Sequence, residues 1–416
     1  MRALLVVIAI ITLVAACGEK KDASAVQQTQ QEVDIDTVLQ HRLMALPEAP
    51  RPSGVIAFHV FDLTANKSVF GYQDTLALPS ASCMKLLTGI TALRLLGKDY
   101  HYWNAIFMRG KTDKDGTLHG DLGFKAMLDP QLVPEELDTY AAAVKRKGVK
   151  RLDGKLYVDL LLNEPVTAEE HWYPWDLSFA RYGMLYKGAP YVVKQLKAAL
   201  RAKGIAVRDS QVILARVPHH SRCLYVGRRQ IDTIIQRMWK NSSNTQSTSL
   251  LYTIGHHATP KQHPVTAGVE VLRTFLRDSL QCTSPQLTIH DGCGLCTHNR
   301  LSPQALTTLL RYGYQDEHIR ASLMRNLAIA GTDGTLMREL TSPLTRGKVF
   351  AKTGTLSHPY GISTLAGFCT SPDGHTLTFA IMASDMSVLD ARVLQRKLCE
   401  TMMKPTSTKN KKGAKR

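Results

Sequence analysis

Residues 79–97, PSASCMKLLTGITALRLLG, decide how the rest of the chain is read. Met84, Leu86, Leu87, Ile90 and Leu93 recur at helical spacing after Pro79 and Ser80, and Gly97 stops the pattern, which predicts a helix starting just past Ser80. In its first turn Ser82 and Lys85 stand three residues apart, so both side chains project from one face. A serine hydroxyl is a weak nucleophile until a base takes its proton. A lysine held out of water near other cations can lose its own proton and become that base. The helix N-terminus adds backbone N–H groups that favour developing negative charge. Alone the spacing means little, because Ser-x-x-Lys arises by chance in most chains of this size and otherwise marks a solvated pair.

Just upstream, residues 54–72 (GVIAFHVFDLTANKSVFGY) alternate apolar and polar side chains around a Thr-Ala-Asn-Lys turn, predicting a β-hairpin. Far downstream, residues 348–353 and 362–369 predict strands. Ser371-Pro-Asp-Gly then turns the chain into a third strand at 375–383, and a closing helix follows at 388–403. One antiparallel sheet joining the early hairpin to the late strands, with helices over its faces, accounts for these signals as an α+β fold. Between them, residues 105–226 carry their own helix and strand signals, including GDLGFKAML, helical ELDTYAAAVKRKG and strand-like KRLDGKLYVDLLL. They predict an inserted smaller domain. The expected organisation is a leader (1–17), a flexible tether (18–36), a main domain in two parts (37–104 and 227–403), the insertion (105–226) and a basic tail (404–416). No short-period repeat suggests a solenoid or propeller.

The 416 residues, 44% hydrophobic and 21% charged, have globular composition and enough length to bury a core without disulfides. Met1-Arg2 precedes an apolar run from Ala3 to Ala16, too short to span a bilayer as a stable helix and read as an export signal. It ends in Val14-Ala15-Ala16-Cys17, which resembles a bacterial lipobox. The resemblance implies acylation of Cys17 as the first mature residue and a membrane-anchored lipoprotein in the bacterial envelope, on the periplasmic side. Seven further cysteines (83, 223, 282, 293, 296, 369 and 399) are odd in number and lack framework spacing, so at least one thiol is expected to be free. Cys293-x-x-Cys296 has no second pair or His-x-x-x-His run to complete a site, so no metal and no cofactor is expected. His219-His220 and His256-His257 lie among polar loop residues and read as surface groups. The formal charge of +17 suits anionic wall polymers and phospholipid head groups as partners. No helix-turn-helix or zinc-finger pattern points to nucleic acid. No heptad indicates an oligomeric state.

Two further segments give Ser82 and Lys85 their weight. Lys240-Asn241-Ser242-Ser243-Asn244 and then Lys352-Thr353-Gly354-Thr355, on a predicted strand, follow in order. Together the three match the S-x-x-K, S-x-N and K-T-G elements of penicillin-binding proteins and class A β-lactamases. On that pattern Ser82, Lys85 and Ser242 are the catalytic set, with Ser242 passing a proton to a leaving amine. Asn244 holds the substrate's amide backbone. Lys352 neutralises a terminal carboxylate, with Thr353 and Thr355 supplying hydroxyls. Gly354 removes a side chain where substrate must lie along the strand. The backbone N–H groups of Ser82 and Thr355 would form an oxyanion hole.

The resemblance narrows with residues 291–295 (DGCGL) and 299–303 (NRLSP), residues 330–336 (AGTDGTL) and residues 352–368 (KTGTLSHPYGISTLAGF). Residues 116–122 (GTLHGDL), with Asp129-Pro130 beyond, add to it. These resemble elements of the class C penicillin-binding proteins, the D-Ala-D-Ala carboxypeptidase/endopeptidases of peptidase family S13, over residues 40–403. The resemblance implies a penicillin-binding/β-lactamase-like transpeptidase domain and a serine D-Ala-D-Ala carboxypeptidase. Such an enzyme acts on peptidoglycan stem peptides through an acyl-Ser82 intermediate and is acylated by penicillin and other β-lactams. DD-endopeptidase cleavage presents the same D-alanyl carbonyl and is not separated from it by the sequence. Cys293 and Cys296 depart from the serines usual in the family, and Cys83 reads as a small packing residue. One alternative is a serine β-lactamase, whose deacylating glutamate Glu135 and Glu136 imitate without the asparagine four residues on. The other is an inactive wall-binding lipoprotein, against which stands the presence of every expected catalytic side chain.

Overall fold

The nucleophile-bearing segment is central because it is apolar nearly all round. In the computed structural model, which describes residues 33–48, 53–357 and 361–406, Ala81–Cys83 form a 3₁₀ turn leading into the α-helix Met84–Leu96. Every residue from Met84 to Leu93 is buried, the fate of a helix with no polar face. Gly97 ends it at φ 82°, in the region that only glycine enters freely.

This helix packs on a six-stranded sheet in the order Ala328–Ile329, Val349–Leu356, Ile362–Thr370, Thr376–Ser384, Val55–Asp62, Lys67–Tyr72. All its pairings are antiparallel. The early hairpin thus joins the late strands, with Val55 opposite Ser384. Strand alternation sorts the side chains between two layers. Phe379 and Ile381 pack with Leu39, Leu43, Leu394 and Leu398 on one face. Ala380 and Met382 meet Met84, Leu87 and Trp239 on the other. Each large side chain so buried contributes about 1.5–3 kcal/mol. The helices Thr37–Met44 and Val388–Met402 cover the first face, while Met84–Leu96, Ile231–Lys240 and Pro303–Gln315 cover the second.

A second sheet is built between residues 101 and 230, in the order Val212–Leu214, Leu156–Leu160, Thr117–Ala126, His101–Thr112, Arg222–Gln230. Its central strands are antiparallel, but Thr117–Ala126 and Leu156–Leu160 are parallel, as are Leu156–Leu160 and Val212–Leu214. Helices Leu137–Lys145 and Gly188–Ala202 complete a core that includes Phe124, Val144, Leu196 and Leu200. Tyr252, from the helix Asn244–Ala258, enters the same core. The sequence boundaries at 105 and 226 fall inside the strands His101–Thr112 and Arg222–Gln230.

A short pairing of Leu78–Pro79 with Arg300–Leu301 ties residues 291–299 to the nucleophile turn, and Ser80 N donates to Asn299 O at 3.0 Å. At the N-terminal side, Asp36 caps the helix Thr37–Met44 by accepting from Leu39 N. The expected leader, Cys17, nearly all of the tether and the tail past Thr406 lie outside the described residues. Among the described residues no helix is long and apolar enough to cross a membrane.

Candidate active site

Ser82 sits in the 3₁₀ turn with its side chain at the edge of the core, and Lys85 follows on the buried helix, fully shielded from solvent. The Lys85 amine lies 2.8 Å from Ser82 Oγ, 2.8 Å from Asn244 Oδ1 and 2.5 Å from the Cys293 carbonyl. Burial pushes its pKa down, against the opposing pull of Cys293, Asp291 and Cys83. Asn244 reaches it from the first residue of the helix Asn244–Ala258.

Lys352 approaches from the strand Val349–Leu356 and is also fully buried. Its amine donates to Ser242 Oγ at 2.8 Å and to the Thr353 carbonyl at 2.6 Å. Burial first, and Lys85 second, bring its pKa down to about 7. Ser242 holds φ at 58°, an uncommon conformation for a serine, in the short link between two helices. Gly354 is where the strand passes closest to the nucleophile: a Cβ there would stand 2.1 Å from Thr364 Oγ1 and 3.0 Å from both Ser80 O and Ser82 N. Ser82, Ser242, Thr353 and Thr355 all line one cleft, with Thr335 and Arg392. Seven of the eight sequence-matched positions are thus tied to one another directly or through the cleft wall. The eighth, Gly354, lies between Thr353 and Thr355 on the same strand.

Cys83 is buried, donates to the Lys352 carbonyl at 3.3 Å, and has its pKa raised by burial, as befits a packing thiol. Glu136 is occupied by Arg229 at 3.0 Å, and neither it nor Glu135 lines the cleft. Among the described residues Glu339 is the one glutamate lining it, and it pairs with Arg392 at 3.0 Å. His219, His220 and His256 line a separate cavity on the second sheet, with Trp103 and Arg216.

Two acids matter that spacing alone does not reveal. Asp291 is buried, and its carboxylate accepts from the backbone N–H groups of Cys293 (2.9 Å), Gly294 (2.6 Å) and Cys296 (2.8 Å). It also accepts from Asn299 Nδ2 (2.9 Å) and Trp172 Nε1 (2.8 Å). These bonds shape the loop that delivers the Cys293 carbonyl to Lys85. Asp333 accepts from Lys240 at 2.5 Å and from Ile329 N at 2.9 Å, fastening the start of the Ser242 link to the loop after Ala328–Ile329. Both acids lie in segments marked by resemblance, the only signal that could have found them. A third grouping, Glu169, His171, His290 and Cys296, converges beside the Asp291 loop.

The fold is that of the penicillin-binding and β-lactamase-like enzymes. The crystal structure of penicillin binding protein 4 (dacB) from Haemophilus influenzae matches it with a TM-score of 0.71 at 20% identity, covering 88% of this chain and 98% of that one. The penicillin G acylated Bd3459 predatory endopeptidase from Bdellovibrio bacteriovorus, in complex with immunity protein Bd3460, matches with a TM-score of 0.53 at 16% identity over 83% of this chain and 91% of that one. In sequence, the D-alanyl-D-alanine carboxypeptidase DacB of Haemophilus influenzae is 21% identical over 425 residues, spanning 80% of this chain and 86% of its own. The pattern of the D-Ala-D-Ala carboxypeptidase 3 (S13) family matches residues 39–183 and 184–404, and the chain belongs to that family. It is a serine-type DD-peptidase of the penicillin-binding-protein class.

Proposed function

We propose that Ser82 is the acyl-accepting nucleophile of a D-Ala-D-Ala carboxypeptidase and that Lys85 is its general base. The observation that carries this reading is the set of three contacts at the Lys85 amine. Asn244 Oδ1 and the Cys293 carbonyl can only accept, so a neutral amine gives them its two N–H groups and is left with its lone pair facing the Ser82 hydroxyl. Burial favours that neutral form.

In the proposed cycle Lys85 takes the Ser82 proton while Ser82 Oγ bonds to the carbonyl carbon of the penultimate D-Ala. The backbone N–H groups of Ser82 and Thr355 stabilise the oxyanion. As the C–N bond breaks, the leaving D-Ala nitrogen receives a proton from the Ser242 hydroxyl, which Lys85 replenishes. Lys352 lies nearest to Ser242 and is placed to support that transfer. Lys352, Thr353 and Thr355 hold the terminal carboxylate, Asn244 the substrate amide, and Gly354 gives the peptide room along the strand. Water then attacks the ester carbonyl, giving one proton to Lys85, which passes it to Ser82 Oγ as the ester C–O bond breaks. Cross-link cleavage uses the same atoms, because a cross-link also places a carboxylate-bearing D-centre after the D-alanyl carbonyl.

The lipobox-like Val14-Ala15-Ala16-Cys17 and the basic composition support lipid attachment at Cys17 and action at the membrane face of the cell wall, with residues 105–226 as an accessory body beside the peptidase domain. The reading is tested by incubating the purified enzyme with matched peptides ending in D-Ala-D-Ala and D-Ala-L-Ala and measuring released alanine. D-Alanine should leave only the first peptide, and Ser82→Ala should abolish release. Equal release from both, or rapid β-lactam hydrolysis without peptide cleavage, would contradict the assignment.

A further inference from the structure

Glu169, His171, His290 and Cys296 each present one donor atom, and those atoms lie within 4.8 Å of one another. Glu169 and His171 come from the connection between the strand Leu156–Leu160 and the 3₁₀ stretch Asp176–Tyr182. His290 and Cys296 flank the loop whose Cys293 carbonyl meets Lys85. Glu169 Oε1 lies 2.7 Å from His171 Nδ1 and 3.6 Å from His290 Nδ1. Cys296 is buried beneath these groups, while the other three are partly exposed, so an ion can enter from solvent. His298 lies against the set, its ring centroid 4.1 Å from that of His171 at a 49° tilt and its Nδ1 3.9 Å from Cys296 Sγ.

Glu169 hydrogen-bonds both His171 and the Cys296 thiol, so three of the four donors already meet through one carboxylate. The four donors together make one nitrogen–nitrogen–oxygen–sulfur set. Thiolate and imidazole ligands disfavour calcium and magnesium, which take oxygen, and suit zinc, which accepts all three donor types in four-coordinate geometry. Zinc–ligand bonds of about 2.0–2.3 Å place tetrahedral donors roughly 3.3–3.8 Å apart. The 3.6 Å between Glu169 and His290 falls in that range, and the 2.7 Å between Glu169 and His171 is a hydrogen bond that an ion would replace.

We propose that Glu169, His171, His290 and Cys296 form a zinc-binding site that fastens the 290–296 loop to the 169–171 segment. Cys296 releases its thiol proton to solvent on coordination. With all four positions supplied by protein the ion is structural, holding the loop that presents the Cys293 carbonyl. The site stands independently of the role given to Lys85.

The full chain, stripped with a chelator and dialysed, is titrated with Zn²⁺ alone and with Co²⁺ alone. One equivalent of each should bind, Zn²⁺ should raise Tm, and Co²⁺ should give a thiolate-to-cobalt charge-transfer band with intense tetrahedral visible bands. Cys296→Ser should remove the charge-transfer band. His171→Ala and His290→Ala, at partly exposed positions, should each weaken Zn²⁺ binding beyond the roughly 10–100-fold typical of outer-shell changes. Cys223→Ser, at an exposed thiol elsewhere, should change nothing. A cooperative urea unfolding transition, followed by circular dichroism on each variant, establishes that it is folded. Failure of the wild type to bind one equivalent, or unchanged affinity and spectrum in folded Cys296→Ser and His171→Ala/His290→Ala variants, would overturn the site.

Discussion

Lys85 and Lys352 are both buried behind one cleft, against Ser82 and Ser242, yet the proposed chemistry asks opposite things of them. Lys85 must be neutral to accept a proton, so acylation should be lost as pH falls and it becomes protonated. Lys352 must be charged to hold a carboxylate, and its pKa of about 7 leaves it neutral in the free enzyme at alkaline pH. The kcat/KM for peptide substrate is therefore expected to decline about tenfold per pH unit above that value. Lys352→Arg, whose guanidinium does not titrate, should remove the alkaline decline. Its persistence in that variant would assign the limb to another group. The same depressed pKa means that the unfolded chain binds more protons than the folded one between about 7 and 10.5, so Lys352 makes stability rise with pH through that window. At this scale the site was largely legible: Ser82, Lys85, Ser242, Asn244 and Lys352 announce themselves by residue type and order. The Lys352 contact with Ser242 was not legible, because it depends on how the strand meets a link between two helices.

At the scale of elements, the loop after His290 does the most to place the proposed base. Its shape rests on Asp291, whose carboxylate gathers three backbone and two side-chain donors. Asp291→Ala would strand several buried N–H groups and is expected to cost about 2–4 kcal/mol of stability, measured by urea unfolding, with slowed penicillin acylation. A neutral effect on both would show that the loop holds its form without the acid. The hairpin, the nucleophile helix and the last three strands were readable because alternation and helical spacing are strong there. The parallel strands Leu156–Leu160 and Val212–Leu214 were less so. They are short, and their pairing is set by the helices packed between them rather than by local turn chemistry. The donor set around Cys296 has no sequence spacing at all, since residues 169–171 and 290–296 meet only in the fold.

At the scale of the whole molecule, the two sheets are coupled rather than merely adjacent. Tyr252 from the peptidase side enters the second core, and Trp172 bonds to Asp291 across the boundary. The described residues from Asp34 onward accordingly form one compact unit. All seven cysteines among the described residues are free, so no covalent bridge shares in holding them. Calorimetry is expected to show a single unfolding transition whose Tm is unaffected by reductant. Two separable transitions would mean that the second sheet melts independently.

Acylation of Ser82 is read out by mass spectrometry of the intact protein after exposure to penicillin, comparing wild type with Ser82→Ala. A long-lived adduct of one penicillin mass is expected on a peptide containing Ser82, and none in the variant. An adduct on another residue, or a folded wild-type protein that neither retains nor turns over penicillin, would contradict acylation at Ser82.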